Sequence, residues 1–323
     1  MNAISTAELF APVQEGLAAV EARLRQTVQN QHSSLMAATE RLLNAGGKRI
    51  RPAICLMAAS IFEADPDRCV SLAAAVEMMH TATLVHDDLI DGAALRRGVP
   101  TLNADWPADA IVLAGDYLFA RSASLIAQTN HPRLIELFAQ TLMIVVNGEI
   151  KQRFSGRGCI NRDDYYERIH AKTAAMFVLA TEAAATLGEA DQASLEALSE
   201  FGRQVGMAFQ IVDDILDFTG DEAEMGKPVG SDLMQGTLTL PSLLLIDRHP
   251  QDNPVGKLFS QRRRQEHLSQ AVEMIRSSDI PQESYSMAAG FGQRAEEALA
   301  TLPGNEARDT LRDIVHYVLD RRS

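Results

Sequence analysis

The sequence predicts an all-α fold, arranged as a single large helical bundle. Nearly every segment between glycine and proline punctuation repeats its apolar residues with a helical period and is rich in Ala, Leu, Met and Glu. No segment shows the sustained alternation of apolar and polar residues that is typical of a half-buried strand. Several segments exceed roughly 20 residues without a heptad repeat, which favours a bundle of about ten or more helices.

Capping residues place the helix boundaries. Asp65 reads as an N-cap, and Pro66 follows it at the first helical position. Asn161 caps a later helix that Gly188 closes. The predicted helices span residues 6–30, 34–44, 52–64, 66–91, 107–129, 132–155, 162–187, 191–219, 239–248, 257–277, 282–302 and 305–321.

Composition limits the classes of protein. The chain has 323 residues, of which 46% are apolar, so it can bury a large core. No linker or internal repeat divides it, which predicts one domain over residues 1–323. The 43 acidic residues outnumber the 30 basic ones, so a general nucleic-acid binder is disfavoured. An anionic ligand must therefore be held by local positive charge or by bound cations.

The sequence also favours a soluble, cytoplasmic protein. Cys55, Cys69 and Cys159 lie far apart without a CxxC pair, which argues against a disulfide framework or a zinc site and fits a reducing compartment. The N-terminus, MNAISTAELF, lacks the features of a signal peptide. No uncharged apolar run approaches the roughly 18 residues of a membrane span, so no transmembrane segment is expected.

An acidic box lies in the stretch HTATLVHDDLIDGAALRR, residues 80–97. Asp87, Asp88 and Asp91 fall within five positions of an otherwise apolar helix in a chain of net charge -13. Two unit charges about 4 Å apart repel by roughly 4 kcal/mol at an effective dielectric near 20. Positive charge must therefore offset this repulsion.

A second box, in GMAFQIVDDILDFTGD, repeats the spacing with Asp213, Asp214 and Asp217. Positions i and i+4 lie one helical turn apart on one face. Carboxylates completed by water and phosphate oxygens are the usual ligands of Mg²⁺. Each box could instead be a solvated helix end, but the apolar flanks favour metal-bound carboxylates. We expect two facing helices to clamp a diphosphate through Mg²⁺.

Basic residues accompany the boxes. The segment GGKRIRP, residues 46–52, combines a flexible loop with the positive charges of Lys48, Arg49 and Arg51. The segment could instead be an ordinary solvent-exposed loop before a helix, without a role in binding. Arg96 and Arg97 follow the first box, where exposed arginines would be the default.

Four further candidate residues give weaker signals. His80 stands two turns before Asp87 on the same helix face, although a helical histidine is more often a core or surface residue. Lys172 and Thr173, in HAKTAAMF, and Lys227, in MGKPVGSD, would each individually suit an ordinary solvated position.

These motifs together resemble a known family. The ordered set GGKRIRP, LVHDDLIDGAALRRG, GDYLFAR, KTAAMF, GMAFQIVDDILD and GKPVGSDL, from about residue 44 to 245, is similar to the trans-prenyl (polyprenyl) diphosphate synthases, long-chain octaprenyl-type branch. The remaining C-terminal helices match only in pattern. The resemblance implies an isoprenoid-synthase bundle around a deep central cavity, usually a homodimer. It also implies Mg²⁺-dependent chemistry, in which an allylic diphosphate ionises and its carbocation is attacked by the double bond of isopentenyl diphosphate.

The resemblance assigns roles to individual residues. Catalysis and Mg²⁺ binding would fall to Asp87, Asp88, Asp91, Asp213, Asp214 and Asp217. Isopentenyl diphosphate would be bound by Lys48, Arg51, His80 and Arg97. The allylic diphosphate would be contacted by Arg96, Lys172, Thr173, Gln210 and Lys227, with Lys172 and Lys227 also acting in catalysis. No protein nucleophile is required, and the sequence offers no Ser-His-Asp or Cys-His candidate.

The chain departs from the family pattern at one position. Where the family commonly has a second lysine in GKxTLP, this chain reads GTLTLP with Thr237. The departure removes one positive charge from the residues expected to contact the allylic diphosphate, so turnover or substrate preference could differ.

Product length is indicated by residues before the first box. In the family, the residues four and five positions before the first box line the pocket that holds the growing prenyl chain. In this sequence they are Ala82 and Thr83, and both are small. Eight residues ahead, about 12 Å along the helix, stands only the flexible Met79. The product is therefore expected to exceed farnesyl diphosphate, with twenty-five carbons or more favoured over twenty. Other residues could instead close the end of this pocket and limit the product to geranylgeranyl diphosphate. The candidates are Phe138, Leu142 and Met143.

Other functions remain as alternatives. A terpene cyclase shares one DDxxD box, but its second metal box normally mixes Asn, Ser and Glu. A noncatalytic regulatory subunit of a two-component synthase tends to lose its acidic boxes, whereas both are whole here.

Overall fold

A computed structural model describes residues 6–27, 29, 31–44, 47–96, 98–154, 161–222, 228–258 and 263–321. Helices make up most of this part of the chain, which confirms the predicted all-α class. The described residues also contain one short antiparallel hairpin, which pairs Leu95 with Pro100 and Arg96 with Val99. Its strands have two residues each, too few to produce an alternating pattern in the sequence.

The helices are numbered here in chain order. The first eight are α1 (Thr6–Leu9), α2 (Gln14–Gln26), α3 (Ser33–Asn44), α4 (Ile50–Ser60), α5 (Pro66–Asp91), α6 (Ala108–Ala127), α7 (Pro132–Phe154) and α8 (Arg162–Ile169). The remaining eight are α9 (Ala175–Leu187), α10 (Gln192–Thr219), α11 (Ser231–Gln235), α12 (Leu240–Arg248), α13 (Pro254–Leu258), α14 (Arg264–Arg276), α15 (Ile280–Leu299) and α16 (Glu306–Asp320). Short 3-10 turns cover Ala11–Val13 and Leu102–Ala104.

Three predicted helices are interrupted in the structure. The helix predicted over residues 6–30 breaks at Ala11–Val13, where Pro12 lacks the backbone N–H that a continuous helix requires. The one predicted over 162–187 contains a π-helical segment, His170–Ala174, between α8 and α9. In place of the one predicted over 257–277, α14 begins at Arg264, directly after Arg263 in the left-handed conformation, φ 52°.

The chain forms two compact units. Unit 1 comprises residues 1–141, 176–202 and 298–314, and unit 2 comprises residues 142–175, 203–297 and 315–323. The single domain over residues 1–323 stays a prediction.

Helix α5 is the central element of unit 1. It begins at Asp65, whose side chain accepts a hydrogen bond from the backbone N–H of Arg68, and it ends at Gly92 in the left-handed conformation, φ 64°. The helix packs against α2, α4 and α6. Leu72 and Met78 on it are completely buried, and each such side chain contributes about 1.5–3 kcal/mol by leaving water. The last turn of α5, which carries the first acidic box, is thus held by a packed core.

Two helices of unit 1 have the length and apolar composition of a membrane span. They are α5, with mean hydropathy 1.2, and α6, with mean hydropathy 1.4. The apolar stretch of α5 is 78% buried within the protein, as in a core helix, whereas that of α6 is 39% buried. Helix α6 therefore presents apolar side chains on its surface, Leu113 the most exposed of them at 68%.

Unit 2 has its own apolar core. It is formed by side chains from α8, α10, α12 and α14, among them the completely buried Phe218, Leu240 and Ile275. This core also contains Tyr165, the largest polar side chain in it. The second acidic box, on α10, is therefore surrounded by apolar packing, as its flanking sequence predicts.

Candidate active site

The first acidic box occupies the C-terminal turns of α5. The negative end of the helix dipole lies there, so carboxylates at this place reduce stability unless cations balance them. Asp87 is half-buried and Asp91 is exposed, and the two stand one helical turn apart. Their carboxylates can thus reach a common cation whose remaining ligands come from water or phosphate.

Asp88 is held by protein groups instead. Its side chain is buried, and Oδ1 accepts a hydrogen bond from Nε of Arg96 at 2.8 Å and lies 2.8 Å from Nη2 of the same guanidinium. The amide of Asn103 donates to the backbone carbonyl of Asp88. Arg96 reaches back from the hairpin to the box, so this basic side chain lies at the acidic cluster, as its position in the sequence suggests.

The basic segment of residues 46–52 divides into structural and accessible cations. Arg49 forms ion pairs with Glu21 at 2.5 Å and with Glu77 at 2.6 Å, so carboxylates of unit 1 neutralise its positive charge. Lys48 is exposed. Arg51 approaches His80, with 3.2 Å between Nη1 and Nε2, and its guanidinium lies over the ring of Phe177 at 4.8 Å. Arg51 and His80, which the resemblance assigns to isopentenyl diphosphate, are therefore neighbours, and their role toward this substrate stays a prediction.

A close contact between α5 and α6 lies beside the first box. A Cβ atom on Gly115 would come within 2.2 Å of the His86 ring. The ring nitrogen Nε2 of His86 is 3.2 Å from the carbonyl of Val112, and the ring packs against Phe119. The glycine of the GDYLFAR motif thus permits the close approach of α6 to the residue before Asp87.

The residues expected to limit product length lie deeper on α5. Ala82 and Met79 are completely buried, and Thr83 is half-buried with its hydroxyl donating to the carbonyl of His80 at 2.8 Å. Of the alternative candidates, Phe138 is buried whereas Met143 is 57% exposed.

In unit 2, Asp213 is the accessible carboxylate of the second box. Its side chain is 35% exposed, and Oδ1 lies 2.9 Å from Nη2 of Arg321. The Arg321 guanidinium also stacks on Phe209 at 4.4 Å. A residue close to the C-terminus therefore brings positive charge to the box.

Asp217 has a different environment. It is completely buried, and its carboxylate accepts hydrogen bonds from the hydroxyl of Ser231 at 2.8 Å and the backbone N–H of Asp232 at 3.3 Å. The backbone N–H of Gly230 donates to the Asp217 carbonyl at 2.7 Å. Asp217 thus anchors the GSD part of the GKPVGSDL motif to α10.

Asp214 lies inside the unit 2 core. It accepts hydrogen bonds from the Tyr165 hydroxyl at 2.7 Å and from Nε2 of Gln210 at 2.8 Å. Burial raises the pKa of Asp214 to about 7, with Asp232 adding to the rise and these hydrogen bonds opposing it. Burial, together with the Asp214 charge, also raises the pKa of Tyr165 well above its ordinary value, so the phenol stays protonated.

The lysine and threonine of the HAKTAAMF motif lie in the π-helical segment. Nζ of Lys172 is 2.8 Å from Oε1 of Glu149, and the Thr173 hydroxyl donates to Oε1 of Gln210 at 2.6 Å. A Cβ on Gly148 would come within 2.6 Å of the Ala171 Cβ, so a glycine at 148 lets α7 approach this segment and places Glu149 beside the lysine. π-Helical turns recur at functional sites.

Some sequence-derived assignments lie outside the described residues. They are Gly46, Arg97, Cys159 and Lys227. Thr237 is described, and its backbone N–H donates to the Asp232 carbonyl at 2.9 Å. In the described ranges, no group of three or more His, Cys, Asp or Glu side chains could hold a metal by itself. A cation at either box would therefore need oxygen ligands from water or substrate, as Mg²⁺ commonly takes them.

Sequence reasoning missed several residues around the boxes. Tyr165, Glu149, Ser231 and Arg321 each bond or pair with a candidate site residue. Ser231 lies within a recognised motif, and Glu149 follows the glycine of a close helix contact. Tyr165 and Arg321 give no local signal, because their contacts join positions 49 and 108 residues apart (214 − 165 and 321 − 213).

Helical carboxylate boxes accompanied by arginine and lysine side chains are typical of an all-α protein that binds phosphate esters through cations. The polyprenyl synthetase family model matches residues 32–275. Component 2 of the heptaprenyl diphosphate synthase of Geobacillus stearothermophilus is 39% identical over 311 residues, 96% of this chain and 97% of that protein.

Solved structures agree. The polyprenyl synthase of Caulobacter crescentus, complexed with calcium and isoprenyl diphosphate, has a TM-score of 0.93 and 34% identity over all of both chains. A decaprenyl diphosphate synthase of Rhodobacter capsulatus has a TM-score of 0.90 and 35% identity, covering 99% of this chain and 100% of that one. The chain belongs to the polyprenyl synthetase family. It is a prenyltransferase of the isoprenoid synthase fold that condenses prenyl diphosphates.

Proposed function

We propose that the protein is a Mg²⁺-dependent trans-polyprenyl diphosphate synthase that joins isopentenyl diphosphate head to tail to an allylic diphosphate and makes a medium- or long-chain product. The observation that carries the Mg²⁺ assignment is the placement of Asp87 and Asp91 on the last turn of α5. Accessible carboxylates at the negative end of a helix oppose stability, so a cationic ligand explains them. The similar polyprenyl synthase of Caulobacter crescentus, complexed with calcium and isoprenyl diphosphate, supports a divalent cation.

The donor set of both boxes fits Mg²⁺. All six candidates, Asp87, Asp88, Asp91, Asp213, Asp214 and Asp217, offer carboxylate oxygens. Mg²⁺, when bound, stabilises the charge that develops on the departing diphosphate. Of the six, Asp87, Asp91 and Asp213 are the more accessible, and Asp88, Asp214 and Asp217 are buried.

Basic side chains bind the two diphosphates in this proposal. Lys48, Arg51, His80 and Arg97 bind isopentenyl diphosphate, and the contact between Arg51 and His80 supports this group. The allylic diphosphate is contacted by Arg96, Lys172, Thr173, Gln210 and Lys227. Support for this second group comes from the hydrogen bond between Thr173 and Gln210. Of this second group, Arg96, Lys172 and Lys227 are cations that balance the charge of the departing allylic diphosphate, which is usually the largest stabilising effect in such a reaction.

The product is longer than farnesyl diphosphate. Ala82 and Thr83 are small, and the heptaprenyl and decaprenyl names of two similar proteins support an extended chain. The decisive experiment incubates the full chain with farnesyl diphosphate, isopentenyl diphosphate and Mg²⁺ and measures product length. We expect twenty-five carbons or more. A product of twenty carbons would support geranylgeranyl diphosphate synthesis instead, and no elongation at all would contradict the function.

Metal dependence has its own control. Chelation with EDTA should abolish elongation, and excess Mg²⁺ should restore it. Activity that persists in EDTA would contradict the Mg²⁺ assignment while leaving the condensation reaction intact.

We also propose a cytoplasmic homodimer. Helix α6 exposes Val112 and Leu113, and α7 exposes Met143, Ile150 and Phe154. Large apolar side chains on surface helices are typical of interfaces between subunits. A second copy of the chain would cover them.

A heteromeric synthase is the second candidate. The relative from Geobacillus stearothermophilus is named as component 2 of its enzyme, which favours a partner of a different sequence. In that case the purified homomer would stay inactive until a second protein was added. Elongation by the homomer alone would exclude this requirement, and it would also exclude a purely regulatory subunit.

A further inference from the structure

We infer that Tyr165 is a positioning residue for binding of the allylic diphosphate, acting through Asp214 on the side chains of Gln210 and Thr173. The inference rests on the proposed function, because it assigns a role toward the substrate site described there. Tyr165 itself touches none of the candidate substrate-binding side chains in the contacts described above.

The geometry begins at a fixed carboxylate. The Tyr165 hydroxyl donates to Oδ2 of Asp214 at 2.7 Å, and Nε2 of Gln210 donates to Oδ1 at 2.8 Å. Both oxygens therefore accept a hydrogen bond from protein on opposite sides of the carboxylate. A carboxylate that accepts a hydrogen bond at each oxygen is fixed in one orientation. The position of the Gln210 amide, which donates one of these bonds, therefore depends on the bond that Tyr165 donates.

The chain of hydrogen bonds continues to the substrate-binding side chains. Because Nε2 of Gln210 faces Asp214, its Oε1 faces the Thr173 hydroxyl, which donates to it at 2.6 Å. The amide cannot rotate without breaking both bonds. Thr173 lies in the π-helical segment with Lys172, so this series of hydrogen bonds connects the unit 2 core to the π-helical segment.

The hydroxyl of Tyr165 is suited to this role. Tyr165 is completely buried, and its hydroxyl donates to the Asp214 carboxylate at 2.7 Å. Hydrogen bonds to carboxylates are stronger than those to neutral acceptors, so the donated bond orients the Asp214 side chain. The simpler explanation is that the ring only fills the core, in which case the hydroxyl would be dispensable for ligand binding.

The neighbouring tyrosine supplies a matched control. Tyr166 is half-buried, its hydroxyl contacts Sδ of Met287 at 3.9 Å, and its ring packs against Tyr165 and Phe291. Tyr165→Phe and Tyr166→Phe each remove one hydroxyl from the same helix. A packing role predicts similar effects for both, whereas the inference predicts an effect on ligand binding for Tyr165→Phe alone.

The test measures binding of inorganic diphosphate with Mg²⁺ by calorimetry, together with kcat and both KM values of the full chain. For Tyr165→Phe we expect roughly tenfold weaker diphosphate binding and a similar rise in the allylic KM, the scale of one lost hydrogen bond to a charged group. The KM for isopentenyl diphosphate should not change. Tyr166→Phe should behave as wild type. Equal binding by the two variants would overturn the inference.

A double-mutant cycle tests the route through Asp214. If Tyr165 acts through this carboxylate, Tyr165→Phe should weaken diphosphate binding no further in an Asp214→Asn background. Additive losses would overturn the inference. If Tyr165→Phe does not fold, a crystal structure of wild type with Mg²⁺ and diphosphate decides, because a Tyr165 hydroxyl beyond hydrogen-bond distance of Asp214 there would also overturn it.

Failure of the proposed function would be distinguishable. A wild-type chain that binds Mg²⁺ and diphosphate but makes no longer prenyl product would contradict that function. Unequal binding by the two phenylalanine variants would still support the positioning role of Tyr165.

Discussion

The aspartates of each box differ in their surroundings although the sequence makes them look equivalent. Asp88 is bound by Arg96, Asp214 by Tyr165 and Gln210, and Asp217 by Ser231. Hydrogen bonds to these buried carboxylates offset much of the cost of removing charge from water. Substitutions within one box should therefore affect stability and activity to different extents.

The clearest consequence concerns Asp214 and pH. Its pKa is about 7 in the folded protein against 3.8 for the ordinary side chain. Between these values the folded state binds more protons than the unfolded state, so stability falls as pH rises, by about 4 kcal/mol in total. Asp214→Asn removes this contribution, and we expect the variant to gain stability relative to wild type from pH 4 to 7.

Urea unfolding in metal-free buffer across this pH range measures the difference between the two proteins. Any cost of the amide itself is constant with pH, so only the slope matters. A stability difference that does not vary with pH would contradict the prediction.

Ala82→Phe tests the control of product length at one residue. Ala82 is completely buried, and a phenyl ring there would block chain growth along α5. We expect shorter products from the same substrates, as read by chromatography of the dephosphorylated chains. Ala82→Ser is the control, because its side chain has nearly the same size. An unaltered product length in Ala82→Phe would show that Ala82 does not limit the length of the product.

At the level of elements, glycines set how closely helices approach near the boxes. Gly115 brings α6 against His86 of α5, and Gly148 brings α7 against Ala171. Backbone proximity of this kind fixes the position of the neighbouring candidate site residues, which here are Asp87 and Lys172. A larger residue must move one helix, because packed interiors have little free volume.

Gly115→Ala should therefore destabilise the protein. The added methyl group would overlap the His86 ring, which is held by Val112 and Phe119, at a cost of about 1–3 kcal/mol. Thermal unfolding measures the loss. Gly290→Ala is the control, since its nearest neighbour would be Arg294 Nη1 at 3.7 Å. Equal melting temperatures for Gly115→Ala and wild type would show that the ring moves freely.

At the level of the whole molecule, the exposed apolar side chains of α6 are the support for the proposed homodimer. Leu113 is 68% exposed on a helix whose apolar stretch is only 39% buried. An unpartnered apolar surface of this kind lowers solubility, whereas a subunit interface would bury it.

Leu113→Asp should dissociate the proposed homodimer, because a buried unpaired charge is costly in an apolar interface. Light scattering coupled to gel filtration should show the mass of one chain for the variant and of two for wild type. Ser286→Asp adds the same charge at an exposed serine on α15 and should leave the mass unchanged. A monomeric wild-type protein would contradict the homodimer.

The sequence by itself determined the helical class, the bounds of long helices such as α5, and the family. Each depends on local chemistry: apolar period, caps such as Asp65 and Gly92, and the spacing of aspartates within one turn. The break at Pro12 was also readable from local chemistry but was overlooked.

Only the tertiary structure decided which aspartates are bound by protein groups and which are accessible. The partners responsible, Arg96 excepted, lie far along the chain: Tyr165 for Asp214, and Arg321 for Asp213. Their positions depend on how helices pack, and packing brings together residues whose separation in sequence carries no periodic signal. The same reason explains why Tyr165 could not be singled out before its hydroxyl was seen at the Asp214 carboxylate.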